Sequence, residues 1–460
     1  MLAFAIGLYL LLNIGIGVWA SRRVSTTRDF VLAGSRLPLV LAASATFATW
    51  FGSETIMGAP TEFVKHGVIG IIEDPFGASL CLFLVGILFA RRFYEMNLIT
   101  LCDFYKARFG RKAELLSAIM MIPSYFGWIA AQLLAMGIVL QVVLGWSLIA
   151  CILFSAVVVV VYTILGGMWS ISITDFMQTV TIIIGMVVLA VIMFDKVGGV
   201  EPLTANLPDD FFRFYPEASF KSYVEYFAAW ITIGLGSIPQ QDVFQRVMSA
   251  KSPKVAVQAT MLSSFMYLTI ALIPLFIGLC GHVLYPEQEG DPQMIILNMV
   301  LLHTGLPMQI LFFGALVSAI LSSTSSAIMA PAAIIGENVV KFFRPELKDW
   351  QILRVIRASI VIIMLGSILM ASGEQSIFEL VAASSAFSLV SLFVPMAAGF
   401  YWKRANTLGC LLSMVVGVIT WVACIQLETE YPPMIYGLLA SCLGMVAGVI
   451  VGENNKLAKA

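Results

Sequence analysis

Residues 314–338 read GALVSAILSSTSSAIMAPAAIIGEN, an apolar stretch that carries five consecutive hydroxyl side chains at 322–326. On a helix, residues three or four positions apart share one face, which groups Ala319, Ser322, Ser323 and Ser326. In a bilayer no water competes for hydroxyl oxygens, and clustered neutral oxygens suit a small hard cation. Small residues also let helices pack closely. Five adjacent hydroxyls nevertheless favour a cation site, formed by this helix and the backbone carbonyls of a second, unwound one.

The composition is that of an integral membrane protein. Of the 460 residues, 60% are hydrophobic and 12% are charged, against roughly 25% charged in soluble domains. The seven cysteines stand without metal-ligand spacing, which favours packing roles. The sequence has no recognisable phosphate-binding glycine loop, paired catalytic carboxylates or Ser-His-Asp arrangement. We therefore expect a protein of the lipid bilayer that is neither an enzyme nor a binder of nucleic acid.

Apolar windows long enough to cross a hydrocarbon core of about 30 Å predict an all-α protein with thirteen transmembrane helices. They fall at residues 2–20, 38–60, 74–93, 115–142, 147–166, 174–195, 224–246, 256–283, 306–338, 354–372, 376–402, 407–426 and 432–452. No connection between them resembles a soluble domain, so we expect one transmembrane domain over residues 1–460.

The distribution of positive charge predicts the orientation, because cytoplasmic connections are rich in Lys and Arg. With the N-terminus outside and the C-terminus in the cytoplasm, 22 of the 26 basic residues, Arg22, Arg23, Arg246 and Lys459 among them, fall on the cytoplasmic side. The four on the outer side are Lys65, Lys196, Arg213 and Lys221. The outer loops 283–292 and 427–430 are acidic instead. We expect a multi-pass protein of a bacterial inner membrane, either a monomer or a weak oligomer.

Two predicted spans carry helix-breaking and polar residues in their interior. The second reads ASATFATWFGSETIMGAP over 43–60, and the seventh reads WITIGLGSIPQQDVFQR over 230–246. Gly and Pro lower the cost of interrupting a helix, and polar neighbours satisfy the freed backbone. Broken helices at matching positions of two halves indicate an inverted repeat with a site near the membrane midplane. We expect repeats at 38–196 and 224–404, with an extra N-terminal helix and linker (1–37), an extracellular loop (197–223) and two C-terminal helices and a tail (405–460).

Six motifs together resemble the sodium:solute symporter family, over about residues 1–455. They are FVLAGSRLP (30–38), ATWFGSETIMG (48–58), YTILGGMWSISITDFMQ (162–178), QQDVFQRVMSAKSP (240–253), AILSSTSSA (319–327) and GFYWKR (399–404). The resemblance implies the leucine-transporter fold, a five-plus-five inverted repeat that is here preceded by one extra helix and followed by two.

The resemblance also implies the sodium sites. The family's principal site corresponds to the backbone carbonyls of Ala48, Phe51 and Ala319 and the hydroxyls of Ser322 and Ser323. A second site, present in some members, corresponds to Asp175 with Ser322, Ser325 and Ser326. One or two sodium ions are therefore expected per transport cycle.

For the substrate site, the resemblance implies a lining from the second, third, fourth and seventh spans. The corresponding residues are Trp50, Gly52, Thr55, Asp74, Trp128, Gln240 and Gln241. The ATW motif and the IPQQDVFQRV stretch are most similar to the choline-transporter-like and sensor-kinase-associated branch, in which tryptophans hold a quaternary ammonium group by cation–π attraction. Gln240 stands where that branch has a further tryptophan.

The expected function is sodium-coupled import of a small organic solute by alternating access, with an amino acid or related amine as the best guess. Three alternatives stay open: a substrate-sensing membrane protein without net transport, a symporter of a monocarboxylate or sugar, and an uncoupled channel. A sodium requirement that depends on the solute would separate symport from sensing and from channel activity.

Overall fold

The computed structural model describes residues 1–21, 26–205, 207–286, 292–373 and 376–457. Arg22, Arg23 and Lys459 of the predicted cytoplasmic charges lie outside these ranges, as does part of the predicted acidic loop at 283–292.

The described residues of the first half of the chain form eleven α-helices. They are α1 (Leu2–Ser21), α2 (Thr27–Leu32), α3 (Leu39–Trp50), α4 (Ala59–His66), α5 (Ala78–Leu84), α6 (Ala90–Met96), α7 (Leu101–Phe109), α8 (Arg111–Met121), α9 (Phe126–Leu144), α10 (Leu148–Val197) and α11 (Val200–Thr204). Short 3₁₀ segments lie at Ala33–Ser35, Gly67–Ile71 and Pro123–Tyr125, and π-helical segments at Glu54–Gly58, Ile72–Gly77 and Val85–Phe89.

In the second half, the part of the chain that the structure describes forms twelve more α-helices. They are α12 (Phe220–Gly236), α13 (Gln241–Ser249), α14 (Pro253–Ile270), α15 (Leu272–Leu284), α16 (Ile295–His303), α17 (Leu306–Ile334), α18 (Lys341–Phe343), α19 (Asp349–Ala371), α20 (Ile377–Ser388), α21 (Val394–Tyr401), α22 (Thr407–Gln426) and α23 (Pro433–Leu457). A 3₁₀ segment lies at Pro292–Met294, and π-helical segments lie at Ile335–Val340 and Leu389–Phe393.

The described part of the chain is all-helical, apart from one bridge between Leu37 and Ala250. Within it, nine helical stretches are long and apolar enough to cross a membrane, and three shorter apolar helices accompany them at Leu39–Trp50, Leu148–Ile164 and Pro292–His303. The all-α class is confirmed, whereas the count of thirteen spans stays a prediction.

Both predicted helix breaks are present. The second span stops being helical after Trp50, since Phe51 adopts φ −83° and ψ 70°, and it resumes at Glu54 as a π-helical segment. The seventh span ends as α12 at Gly236 and resumes as α13 at Gln241. The intervening stretch 237–240 contains Pro239, which cannot donate a helical hydrogen bond. The breaks place free backbone groups inside the protein.

Helix α10 consists of two helical stretches, Leu148–Ile164 and Gly167–Val197, which meet at a kink at Gly167 and correspond to the predicted fifth and sixth spans. A straight helix of all 50 residues, at 1.5 Å per residue, would be about 75 Å long, more than twice the bilayer core. Gly167 has φ 58° and ψ −169°, a conformation that favours glycine. A Cβ atom there would also lie 3.0 Å from the Phe30 carbonyl oxygen.

Helix α17 lies at the centre of the molecule, because every residue from Phe312 to Ile334 is buried. Helices α3 and α13 are also buried along most of their length. Large apolar side chains on the outer helices are exposed instead, such as Leu369 on α19 and Leu443 on α23. Exposed apolar side chains of this kind fit a surface that faces lipid. The polar residues of α17 are therefore held within protein and away from the lipid.

Candidate functional site

The break after α3 releases a backbone carbonyl next to α17. In a continuous helix the Gly52 N–H would donate to the Ala48 carbonyl, but here it donates to the Trp50 carbonyl at 3.0 Å. The Ala48 carbonyl instead accepts a hydrogen bond of 2.9 Å from the Ser323 hydroxyl of α17. This contact brings together two of the predicted sodium ligands, which are 275 positions apart in the chain.

The oxygen atoms at this contact are of the kind that a sodium ion prefers. The Ala48 carbonyl and the Ser323 hydroxyl are neutral oxygens inside the protein, and Ser322, the next residue on α17, is 1% exposed. Ala319 lies one turn earlier on the same buried helix. Carbonyl and hydroxyl oxygens beside a broken helix suit a small hard cation. The residues predicted for the first sodium site are therefore chemically suited to bind this ion.

At the predicted second sodium site, a positively charged side chain of the protein, Arg246, contacts the expected ligands. A terminal nitrogen of the Arg246 guanidinium donates to the Ser326 hydroxyl at 2.5 Å and lies 3.4 Å from an Asp175 carboxylate oxygen. The other oxygen of Asp175 accepts a hydrogen bond from the Ser322 hydroxyl. The Ser325 hydroxyl turns back to the Leu321 carbonyl of its own helix at 2.7 Å. A sodium ion between Asp175 and Ser326 would have to replace this guanidinium.

Arg246 was predicted on the cytoplasmic side of the membrane and was not predicted as a site residue. In the structure it is buried, with 3% of its surface exposed. Its Nε donates to the Thr49 hydroxyl at 2.7 Å, and its other terminal nitrogen contacts the Met168 sulfur at 2.9 Å. A buried guanidinium needs partners of this kind. The only sequence signal was its place in the QQDVFQRV motif, directly after a broken helix.

A small cavity lies on the other side of the break. Residues from both interrupted spans and from α5, α9, α14 and α20 contribute to its wall. The lining consists of Trp50, Glu54, Asp74, Ala78, Trp128, Ile233, Ser237, Gln240, Tyr267, Val381, Ser384 and Ser385. Four of the predicted substrate residues are among them: Trp50, Asp74, Trp128 and Gln240.

The remaining three predicted substrate residues are not part of the lining. The Gln241 side chain points elsewhere, since its amide oxygen accepts from the Leu101 N–H at 2.7 Å and its amide nitrogen donates to the Ile99 carbonyl. Thr55 lies behind the wall, where its hydroxyl is 2.5 Å from the Tyr267 hydroxyl. Gly52 has the Glu54 and Gln132 side chains directly beside its Cα.

Glu54 and Tyr267 line the cavity but were not among the residues predicted to bind the substrate. Glu54 had a visible signal, a carboxylate inside a broken apolar span, whereas Tyr267 had none. A Glu54 carboxylate oxygen accepts from the Gln132 amide at 2.7 Å. The Tyr267 hydroxyl lies 2.6 Å from an Asp74 carboxylate oxygen and 3.0 Å from the Trp50 carbonyl.

The cavity is acidic and aromatic. Glu54 and Asp74 are both buried in its wall, and no lining residue is Lys, Arg or His. Trp50 and Trp128 supply two indole rings, whose faces attract cations. Within the described part of the chain, neither indole N–H has a hydrogen-bond partner, so each is a donor for a ligand oxygen. The arrangement suits an organic cation that also carries an acceptor oxygen.

Comparisons with known proteins give a consistent result. The sequence profile of the sodium:solute symporter family matches residues 30–417. The high-affinity choline transporter 1 of Caenorhabditis elegans is 26% identical over 449 residues, which cover 90% of this chain and 76% of that protein. The osmoregulated proline transporter OpuE of Bacillus subtilis is 28% identical over 478 residues, which cover 98% of this chain and 94% of that protein.

A solved structure has a similar fold. A Na⁺-coupled sialic acid symporter, in a substrate-bound outward-open state, superimposes with a TM-score of 0.82 at 20% identity, and the match covers 98% of this chain and 96% of that one. At this level of identity, the likeness concerns the fold alone.

Proposed function

Because the chain belongs to the sodium:solute symporter family and has the leucine-transporter fold, we propose that it imports a small organic amine together with sodium. The family and the relatives are transporters and not enzymes. Membership of this family implies that the chain is a multi-pass membrane protein that couples the movement of a small solute to that of sodium. The identity of the solute, the number of ions and the direction are our proposals.

One observation carries the amine proposal. Glu54 and Asp74 line the same cavity as two tryptophan rings, and no basic side chain lines it. Buried carboxylates attract a positive group and repel the carboxylate of a simple monocarboxylate. A neutral sugar would leave both carboxylates without a counter-charge. An amine or amino acid, whose acceptor oxygens the indole N–H groups would bind, fits better than either.

We propose that sodium binds at the carbonyls of Ala48, Phe51 and Ala319 and the hydroxyls of Ser322 and Ser323. An ion there would join the broken second span to α17. If its affinity differs between the outward-open and inward-open states, binding would shift the population toward one of them. Each sodium ion that enters with a membrane potential contributes about 2.3 kcal/mol per 100 mV.

We further propose that one sodium ion accompanies each solute. The guanidinium of Arg246 lies between Asp175 and Ser326, which are two of the four residues expected at a second sodium site. A fixed positive charge there disfavours a second cation. The alternative, two sodium ions for each solute, rests on the resemblance to family members that have a second sodium site.

The repeats expected at 38–196 and 224–404 remain part of the proposal. The breaks at 51–53 and 237–240 support them, because each lies in the first span of its half and each contributes to one cavity. This is the arrangement that places a substrate site at the interface of two repeats.

Thermal stabilisation of the purified protein tests the proposal. Amino acids, choline-like amines, sugars and monocarboxylates are each added in sodium and in potassium buffer. We expect stabilisation by an amine or amino acid in sodium only, because solute and ion bind the same state. Asp74→Asn should weaken that binding about tenfold or more, since it removes a buried counter-charge.

The matched control is Glu73→Gln, which changes the neighbouring carboxylate outside the cavity lining. It should leave the binding within about threefold of the unmodified chain. A sugar or monocarboxylate as the stabilising solute would refute the amine proposal, and stabilisation that is equal in sodium and potassium would refute the coupling. Uptake into proteoliposomes then separates transport from sensing without transport.

A further inference from the structure

The buried carboxyl groups of Glu54 and Asp74 line one cavity, and none of the described residues of its lining is Lys, Arg or His. From this we infer that the solute carries two positive charges, as an aliphatic diamine or a basic amino acid does. The inference rests on the proposed function and narrows its substrate class. Glu54 was not predicted as a site residue, and it supplies the second carboxylate of the cavity.

Glu54 is held in place by its neighbours. One of its carboxylate oxygens accepts from the Gln132 amide nitrogen at 2.7 Å, and the Gln132 amide oxygen accepts from the Ser53 N–H at 3.3 Å. A Cβ atom on Gly52 would lie 2.9 Å from that Glu54 oxygen, so a glycine at this position leaves room for the carboxylate. These contacts are neutral hydrogen bonds. They orient the Glu54 carboxyl group, and none of them supplies a positive charge.

Asp74 reaches the cavity from a different element, the π-helical segment Ile72–Gly77. One of its oxygens lies 2.6 Å from the Tyr267 hydroxyl. The other is buried and has no hydrogen-bond partner among the described residues. Asp74 therefore keeps an acceptor atom and a negative charge for a ligand, separately from Glu54.

Another buried carboxylate, that of Asp175, is paired with a positively charged side chain. Asp175 has Arg246 at 3.4 Å as its counter-charge. No such partner is present for Glu54 or Asp74 in the described ion pairs, which pair Glu62, Glu95, Glu114, Asp210, Glu217, Glu225, Asp175 and Glu337 with basic residues. An ionised carboxylate within a membrane span is costly unless a positive group pairs with it. A solute with one ammonium group can pair with one of the two carboxylates, and a solute with two ammonium groups can pair with both.

Two tryptophans fit the same solute class. The rings of Trp50 and Trp128 belong to the lining, and ring faces add cation–π attraction to the ion pairs. The expected first sodium set consists of neutral carbonyl and hydroxyl oxygens, so the ion there has its own ligands. The carboxylates of the cavity remain for the solute.

Binding of matched amines to the full-length protein in sodium buffer tests the inference. The series is a set of straight-chain diamines with three to five carbons, the monoamines of equal length, and lysine and ornithine. At least one dication should bind about tenfold or more tightly than the monoamine of equal length. Glu54→Gln, which keeps a group that accepts the Gln132 hydrogen bond, should remove that advantage and leave monoamine binding within about threefold.

Glu73→Gln is again the control, and it should preserve the preference for dications. Preserved sodium-dependent thermal stabilisation shows that the Glu54→Gln protein is folded. If monoamines bind as tightly as diamines and Glu54→Gln changes neither, the inference is overturned while the proposed function stands. If no amine of any charge binds but a neutral or anionic solute does, both are overturned.

Discussion

Four serines within five positions of α17 have four different partners. Ser322 donates to the Asp175 carboxylate, Ser323 to the Ala48 carbonyl, and Ser325 to its own helix, while Ser326 accepts from Arg246. Successive helical residues point about 100° apart. The hydroxyls therefore face different neighbours although they are adjacent in sequence. Among these four bonds, that of Ser323 reaches the broken second span and that of Ser326 reaches α13 of the broken seventh span.

Ser323→Ala is expected to raise the sodium concentration for half-maximal solute binding about tenfold. The change removes one of five expected oxygen ligands while leaving a small side chain, and a contact of this kind contributes about 1–2 kcal/mol. The measurement is a sodium titration of solute binding to the purified protein. Ser325→Ala, one turn from Leu321, is the control and should leave the titration unchanged. A Ser325→Ala effect equal to that of Ser323→Ala would instead favour a second sodium ion.

At the scale of elements, α14 links the break after α3 to the cavity through hydrogen bonds. Tyr267 of α14 lies 3.0 Å from the Trp50 carbonyl and 2.6 Å from Asp74, and Thr55 lies 2.5 Å from the same hydroxyl. Trp50 stands between the expected sodium ligands Ala48 and Phe51 in the chain. A single phenol group thus touches both the backbone at the expected sodium site and a carboxylate of the cavity.

Tyr267→Phe is expected to weaken solute binding and sodium dependence together, each about tenfold. The buried hydroxyl bonds a charged group, and such bonds contribute about 1.5–3 kcal/mol. Sodium titrations at several solute concentrations measure both effects. Tyr105→Phe is the matched control, because that buried hydroxyl donates to the Leu392 carbonyl, away from the cavity. Loss of solute affinity with unchanged sodium affinity would show that Tyr267 serves the cavity alone.

At the scale of the whole molecule, polar chemistry is concentrated at the centre and apolar surface at the periphery. Helix α17 is buried along 312–334, while α22 and α23 expose side chains such as Ile419 and Leu443. In a membrane this arrangement lets the polar groups find partners within the protein. The orientation of the molecule in the membrane stays a prediction from the distribution of Lys and Arg.

Cysteine labelling in intact bacterial cells tests that orientation. Lys65→Cys should react with a membrane-impermeant maleimide from outside, because Lys65 is predicted on the outer side and its side chain is 48% exposed. Lys348→Cys, exposed and predicted in the cytoplasm, should react only after permeabilisation. The unmodified chain, with Cys442 exposed, provides the background. The reverse pattern would invert the orientation.

The amino-acid sequence by itself determined the apolar spans, the two broken helices and the serine-rich face. These features are local, because hydrophobicity sets a span and Gly or Pro with polar neighbours permits a break. Gly167 separates the helical stretches Leu148–Ile164 and Gly167–Val197, where the sequence predicted two separate spans.

The tertiary structure alone decided which side chains share a site. Gln240 and Gln241 are adjacent in sequence, yet one lines the cavity and the other bonds the backbone of Ile99 and Leu101. Arg246, which the sequence showed only as one of many basic residues predicted on the cytoplasmic side, is a buried partner of Asp175. Charge pairing and cavity shape depend on elements far apart in the chain, so the pattern of a single span does not contain them.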